Sequence, residues 1–171
     1  GEGMMFNFEE KNITHDIKWV VDEAMEVYHH EIQLKHPDRA IIGVFDGTAI
    51  RRLLENLIGN AVKYGSTQHP ISVTIKEGPD RVIMAVHNHG TPISLEKQQQ
   101  IFDFMGREDH ERESANSWGM GLTLVQIVAE AHGGKIELIS NVEQGTSFTI
   151  TLFKQFNTPG KKRTKLTFEK I

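Results

Sequence analysis

The chain contains no cysteine. Disulfides, thiolate metal sites and a cysteine nucleophile are therefore excluded, and a reducing, cytoplasmic setting is expected. No apolar run approaches the roughly 20 residues that span a bilayer, and no basic-then-apolar leader opens the chain. No membrane contact is expected of this piece. Gly1-Glu2-Gly3 reads as the start of a fragment or a cloning scar, so a membrane anchor can belong to a longer parent. Clustered positive charge is also missing. Lys and Arg number 19 against 23 Asp and Glu, a net charge of -4, which argues against a nucleic-acid partner. Repeats and low-complexity stretches are absent. What remains is a chain of 171 residues, 38% hydrophobic and 25% charged, enough for one domain with a real core.

Apolar periodicity divides the chain into elements. Met4 to Phe8 alternates weakly, as a short strand would. Ile17, Val20, Val21, Ala24, Val27 and Tyr28 recur at helical spacing and predict a helix over 13–34, with Thr14 as its cap. Ala40 to Phe45 reads as a strand. Asp46 and Thr48 offer caps for a second helix reaching Tyr64, whose stripe is Ile50, Leu53, Leu54, Leu57, Ile58, Ala61 and Val62. Gly65-Ser66 ends it. Ile71 to Lys76 and Arg81 to His87 predict a strand pair, and Leu95 to Phe102 a short helix. Residues 106–118 are polar and aperiodic, as a mobile loop would be. Gly119 opens a third long helix, closed by His132-Gly133-Gly134. Ile136 to Ser140 and Thr146 to Phe153 are the last strands. Residues 156–171 form a basic tail, with a terminal strand at Lys165 to Phe168, beyond a domain covering 1–155. The order of helices and hairpin-linked strands predicts an α+β fold, helices on one face of a largely antiparallel sheet.

Three segments carry chemistry. Asn56 and Asn60, four residues apart, share one helix face, and Lys63 lies a turn further on. Two carboxamides and an ammonium suit a triphosphate with a metal, because Mg²⁺ prefers oxygen ligands and phosphates already bring negative charge. Alone, this segment is better read as a solvated polar stripe. The second, Val86 to Ile93, places Asn88 and Gly90 after an apolar strand. An amide both donates and accepts, so Asn88 suits a nucleobase edge, and Gly90 allows close approach. Alone, it reads as a strand-ending turn. The third, Ser117 to Leu124, runs Gly119-Met120-Gly121 into a helix, where backbone amides can wrap phosphates. It lacks the third glycine of a dinucleotide fingerprint.

In this order, with Ile101 to Met105 between the last two and Gly145-Thr146-Ser147-Phe148 near the end, the segments resemble the catalytic domain of sensor histidine kinases in the GHKL ATP-binding superfamily. The resemblance covers roughly residues 6 to 153. It is strongest in Asn56 to Tyr64, in Gly119 to Val125 and in Ala131-His132-Gly133-Gly134. It implies the Bergerat α/β sandwich, a mixed, mostly antiparallel sheet with helices on one face. It also implies ATP and Mg²⁺ as cofactors and γ-phosphoryl transfer to a histidine. That histidine would lie on a separate dimerisation domain of the parent chain, with a response regulator downstream.

Residue by residue, the resemblance makes Asn60 the Mg²⁺ ligand and Asn56 a phosphate or metal contact. Lys63 touches a phosphate and Tyr64 packs near the nucleotide. Asn88 falls where an aspartate usually accepts from the adenine amino group, within a nucleotide-contacting turn that includes Gly90 and Ile93; Pro92 replaces a second glycine. Phe102 matches the conserved phenylalanine segment, although Phe104-Met105 replaces Pro-Phe. Arg107 reaches the γ-phosphate. Gly106 to Trp118 is the lid, Gly119, Gly121 and Leu122 follow as the glycine segment, and Thr146 sits near adenine.

Other readings of the same residues are a degenerate module acting by protein interaction, supported by Asn88, Pro92 and the altered phenylalanine segment, and a serine kinase of the anti-sigma type. A hydrolysing ATPase of the superfamily would carry a glutamate base where Asn56 stands. His15-Asp16 and His30-Glu31 mimic a phosphoacceptor motif but are expected on the surface of the first helix. His132 reads as a helix-end residue. Pro159 to Thr164 lacks the first glycine of a phosphate loop.

Overall fold

The structure is a computed structural model that describes residues 5–105, 121–155 and 167–168. Its elements run β1 (Glu9–Asn12), α1 (Thr14–Tyr28), β2 (Ile32–Lys35), β3 (Ile42–Phe45), α2 (Gly47–Tyr64), β4 (Ile71–Glu77), β5 (Arg81–Asn88), α3 (Leu95–Met105), α4 (Leu122–Ala131), β6 (Lys135–Asn141), β7 (Gly145–Phe153) and β8 (Thr167–Phe168). One six-stranded sheet has the order β2-β4-β5-β7-β6-β8, and β1 pairs with β3 in a separate ribbon. The three central pairings are antiparallel. Both outer pairings, β2 with β4 and β6 with β8, are parallel. The α+β expectation, a mixed and mostly antiparallel sheet, holds.

The core lies between the helices and one sheet face. Ile50, Leu53, Leu54, Leu57 and Ile58 of α2 are buried, and so are Val82, Met84 and Val86 of β5 and Phe148, Ile150 and Leu152 of β7. Apart from buried Thr151 and exposed Arg81, the alternate residues of these strands from Ile83 to His87 and from Ser147 to Phe153 are only partly covered, the period-2 pattern of a sheet packed on one side. Each large apolar side chain buried this way contributes about 1.5–3 kcal/mol.

Asp46 caps α2 as expected, its side chain accepting from the Ala49 N–H at 3.0 Å. At the other end the Gly65 N–H donates to the Ala61 carbonyl. The buried carboxylate of Asp16 sits between Lys11 at 3.0 Å and Arg51 at 2.8 Å, tying β1 and α1 to α2.

Four expectations are corrected. The first helix stops at Tyr28 rather than continuing to residue 34, because His29 takes a left-handed conformation with φ 50° and the chain turns into β2. His30 therefore lies beyond the helix, not on its surface. Met4 to Phe8 is not a strand in the described part. Phe6 and Phe8 stack at 5.6 Å, and the Phe8 ring meets His132 edge-on at 4.9 Å. Thr14 does not cap α1. Asn12 Oδ1 accepts from both the Thr14 and Ile41 N–H groups, and the buried Thr14 hydroxyl has no hydrogen-bond partner among the described residues. α3 extends past Phe102 to Met105. The terminal strand is found at Thr167–Phe168, beside Glu137 and Leu138 of β6.

Candidate functional site

Along the helix-covered face of β5, β7 and β6 the residues form cross-strand rows. Met84, Ile150 and Ile136 make one row, and Val86, Phe148 and Leu138 the next. The following row is polar: Asn88 opposite Thr146, and Thr146 opposite Ser140. All three are buried. A polar row ending an apolar face must find partners or a ligand. Ser140 and Thr146 hydroxyl oxygens lie 2.6 Å apart. The Ile93 N–H donates to Ser140 Oγ at 2.9 Å. Gln98, on α3, donates from Nε2 to the Ile93 carbonyl at 2.7 Å. Asn88 Nδ2 donates to the His89 carbonyl at 3.0 Å.

The C-terminal half of α2 reaches this end of the sheet. Asn60 is buried, Asn56 and Tyr64 are partly covered, and Lys63 is exposed. Asn88 lies against Gly65, where an added Cβ would sit 3.1 Å from Asn88 Nδ2. Gly90 has φ +131°, and a Cβ there would come within 2.9 Å of the Ser66 backbone nitrogen. Only glycine fits that turn without strain. The same logic places Gly121 at the head of α4. Its φ is +62°, and a Cβ would stand 3.1 Å from the Asn56 carboxamide. Gly121 itself has no side chain to cap this helix start, and the amides of a first helical turn attract anions.

Two ammonium groups converge on one ring: Lys63 Nζ is 5.2 Å and Lys97 Nζ 5.0 Å from the centre of Tyr64. Beside Asn88, the rings of His69 and His89 approach to 4.6 Å, and those of His87 and His89 to 4.8 Å. Desolvation by its surroundings, then the neighbouring His87 and His69, hold the His89 imidazole below its ordinary range.

The expected site residues thus fall into groups. Asn56 meets Gly121, Asn88 meets Gly65 and faces Thr146, and Ile93 is tied to the polar row. Leu122 is buried in the core at the start of α4. Phe102 stands on α3, 38% exposed. Arg107 and Gly119 lie outside the described residues, as does the loop from Gly106 to Trp118. Ser140, Gln98 and Lys97 were not anticipated. The apolar alternation Ile136, Leu138 switching to a polar residue at 140 is the signal that would have found Ser140.

Residues 45–155, more than half of the chain, match the family described as Histidine kinase-, DNA gyrase B-, and HSP90-like ATPase. The chain belongs to that family, and ATP binding comes with it. Within the family its likeness is to sensor histidine kinases. Sensor protein KdpD of Clostridium acetobutylicum is 29% identical over 162 residues, covering 88% of this chain and 18% of KdpD. Sensor histidine kinase YcbM of Bacillus subtilis is 32% identical over 131 residues, covering 76% of this chain and 42% of YcbM. The nucleotide-free catalytic domain of histidine kinase ThkA aligns with a TM-score of 0.70 at 25% identity, covering 87% of this chain and 97% of that domain. The chain is homologous to such catalytic domains and spans less than half the length of these two relatives.

Proposed function

We propose that this domain binds ATP with Mg²⁺ and passes the γ-phosphoryl group to a histidine on a separate dimerisation domain of a longer cytoplasmic or membrane-anchored parent, which then serves a response regulator. The observation that carries the reading is one juxtaposition. Asn56, on the face of α2 that also carries Asn60 and Lys63, lies against Gly121 at the head of α4. Residues 1–155 form the ATP-binding domain in this reading, with 156–171 as a basic tail.

The donor set suits a metal that arrives with phosphates. No group of three or more His, Asp or Glu side chains fit to hold an ion occurs among the described residues. Neutral carboxamide oxygens from Asn60 and Asn56 would complete a shell made mainly of phosphate oxygen and water. Mg²⁺ would supply charge neutralisation on the phosphates. Lys63 and the α4 amides would hold the phosphate chain, with Gly119, Gly121 and Leu122 shaping that turn and Arg107 reaching the γ-phosphate. Asn88 would accept from the adenine amino group, Gly90 and Ile93 would line the base, and Tyr64, Phe102 and Thr146 would bound it. Transfer breaks the bond from the γ-phosphorus to its bridging oxygen and forms one to an imidazole nitrogen, with ADP leaving. Such chemistry asks the protein chiefly for position and charge.

Calorimetric titration with a non-hydrolysable ATP analogue, with and without Mg²⁺, tests the reading. Magnesium-dependent binding is expected, and Asn60→Ala is expected to lose that dependence while melting cooperatively. Absence of binding at millimolar nucleotide overturns the proposal.

A further inference from the structure

The polar row is asymmetric in burial, and that asymmetry bears on where its protons go. Ser140 is fully buried. Its oxygen accepts the Ile93 N–H, and the closest hydroxyl, Thr146 Oγ1, is 2.6 Å away. A serine has one proton to donate, and leaving it undonated in a buried place is costly. Among the described residues Thr146 Oγ1 is the acceptor available to it. Of the two orientations, the one in which Ser140 donates leaves the spare proton on Thr146, the less deeply buried hydroxyl, for a partner beyond the row. Asn88, directly opposite Thr146, gives one Nδ2 hydrogen to the His89 carbonyl, which orients the amide. That leaves Oδ1 as the acceptor end of its amide. Gln98 holds the frame, donating to both the Ile93 and Ser140 carbonyls.

We propose that Ser140 is a specificity-positioning residue. By donating to Thr146 it fixes that hydroxyl as a donor beside the Asn88 acceptor. The pair then selects a base edge that carries an amino donor beside a ring acceptor, the 6-aminopurine pattern. A 6-oxopurine presents the reverse, a carbonyl acceptor beside a ring N–H. This inference rests on the nucleotide reading of the site and adds a residue that never touches the ligand.

The test compares affinities for non-hydrolysable ATP and ITP analogues in the whole chain, measured side by side for the unaltered protein, Ser140→Ala and Ser140→Thr. The unaltered protein is expected to favour the adenine analogue. Ser140→Ala frees the Thr146 hydroxyl to turn either way, and the preference should fall by roughly tenfold, the equivalent of one mispaired hydrogen bond. Ser140→Thr keeps a hydroxyl and should keep the preference. An unchanged ratio in Ser140→Ala, with adenine binding intact in the unaltered protein, overturns the role of Ser140. Binding of neither analogue by the unaltered protein overturns the nucleotide reading as well. Should Ser140→Ala fail to fold, Ser140→Cys fills the same space with a weak donor and carries the same comparison.

Discussion

The two ends of the sheet are built on opposite terms. At the end holding the α2 N-terminus, polar groups are matched from within the chain. Asp46 accepts from Asn7 and Ala49 through its side chain and donates its own N–H to His132 Nε2 at 3.1 Å. The His132 Nδ1–H donates to the Val128 carbonyl, so one imidazole closes the C-terminus of α4 onto the start of α2. Nearby Glu77 pairs with Lys154 at 2.6 Å and Arg39 at 2.8 Å. At the other end, α4 begins after Gly121, which has no side chain to offer as a cap. Among the described residues Lys63 and Lys97 share a tyrosine ring rather than a carboxylate. Groups satisfied by the chain stabilise it, whereas groups left for a visitor make a site. The first end should answer to stability assays, the second to ligand assays.

The strongest break of this contrast is His132→Ala. It removes a buried ring and takes away the acceptor of the Asp46 N–H, while the Val128 carbonyl keeps the backbone N–H of residue 132, and should cost about 2–4 kcal/mol in urea unfolding. Burial keeps the folded-state imidazole below its ordinary range, against smaller upward pulls from the Val128 carbonyl and Asp46. The unfolded chain therefore takes up the proton first, from about pH 6.5 downward. His132 stabilises fully above that pH and its contribution declines as the pH falls through the folded value. The mutant should lose this acid-side slope, and an unchanged slope would show that another group carries it. Next in size, Asn88→Asp sharpens the ligand end. A carboxylate acceptor should tighten binding of the ATP analogue by about tenfold in calorimetry, and equal affinity would remove Asn88 from the base contact. Smallest, Lys154→Met should lower stability by about 1 kcal/mol and leave nucleotide affinity untouched. A weakened affinity there would show that the two ends are coupled.

The long elements could be read from the sequence because their signals are local. The α2 stripe, the Asp46 cap, the β4–β5 pair and the closing strands all follow from spacing within a few residues. β2 could not. Ile32 and Leu34 continue the apolar rhythm of α1, and their strand exists only through parallel pairing with Ile71 and Val73, far along the chain. Nor does composition mark His29 as a left-handed residue, a role more often taken by glycine. In the site, Asn56, Asn60, Lys63 and Asn88 stood out because their grouping resembles a known pattern. Ser140, Gln98 and Lys97 read as ordinary polar positions until neighbouring strands and α3 gave them partners.

The pairing of β5 with β7 has a consequence for biosynthesis. As the chain leaves the ribosome, β4 and β5 can join early, but the second edge of β5 stays unpaired until Gly145–Phe153 has been made. Asn88 meets Thr146 only then. A nascent chain that ends before β7 carries the asparagine helix and the glycine turn, yet offers half of the proposed base pocket. It also presents a naked strand edge of the kind that invites association with other chains. The arrival of β7 therefore completes the proposed site and retires that hazard in a single event.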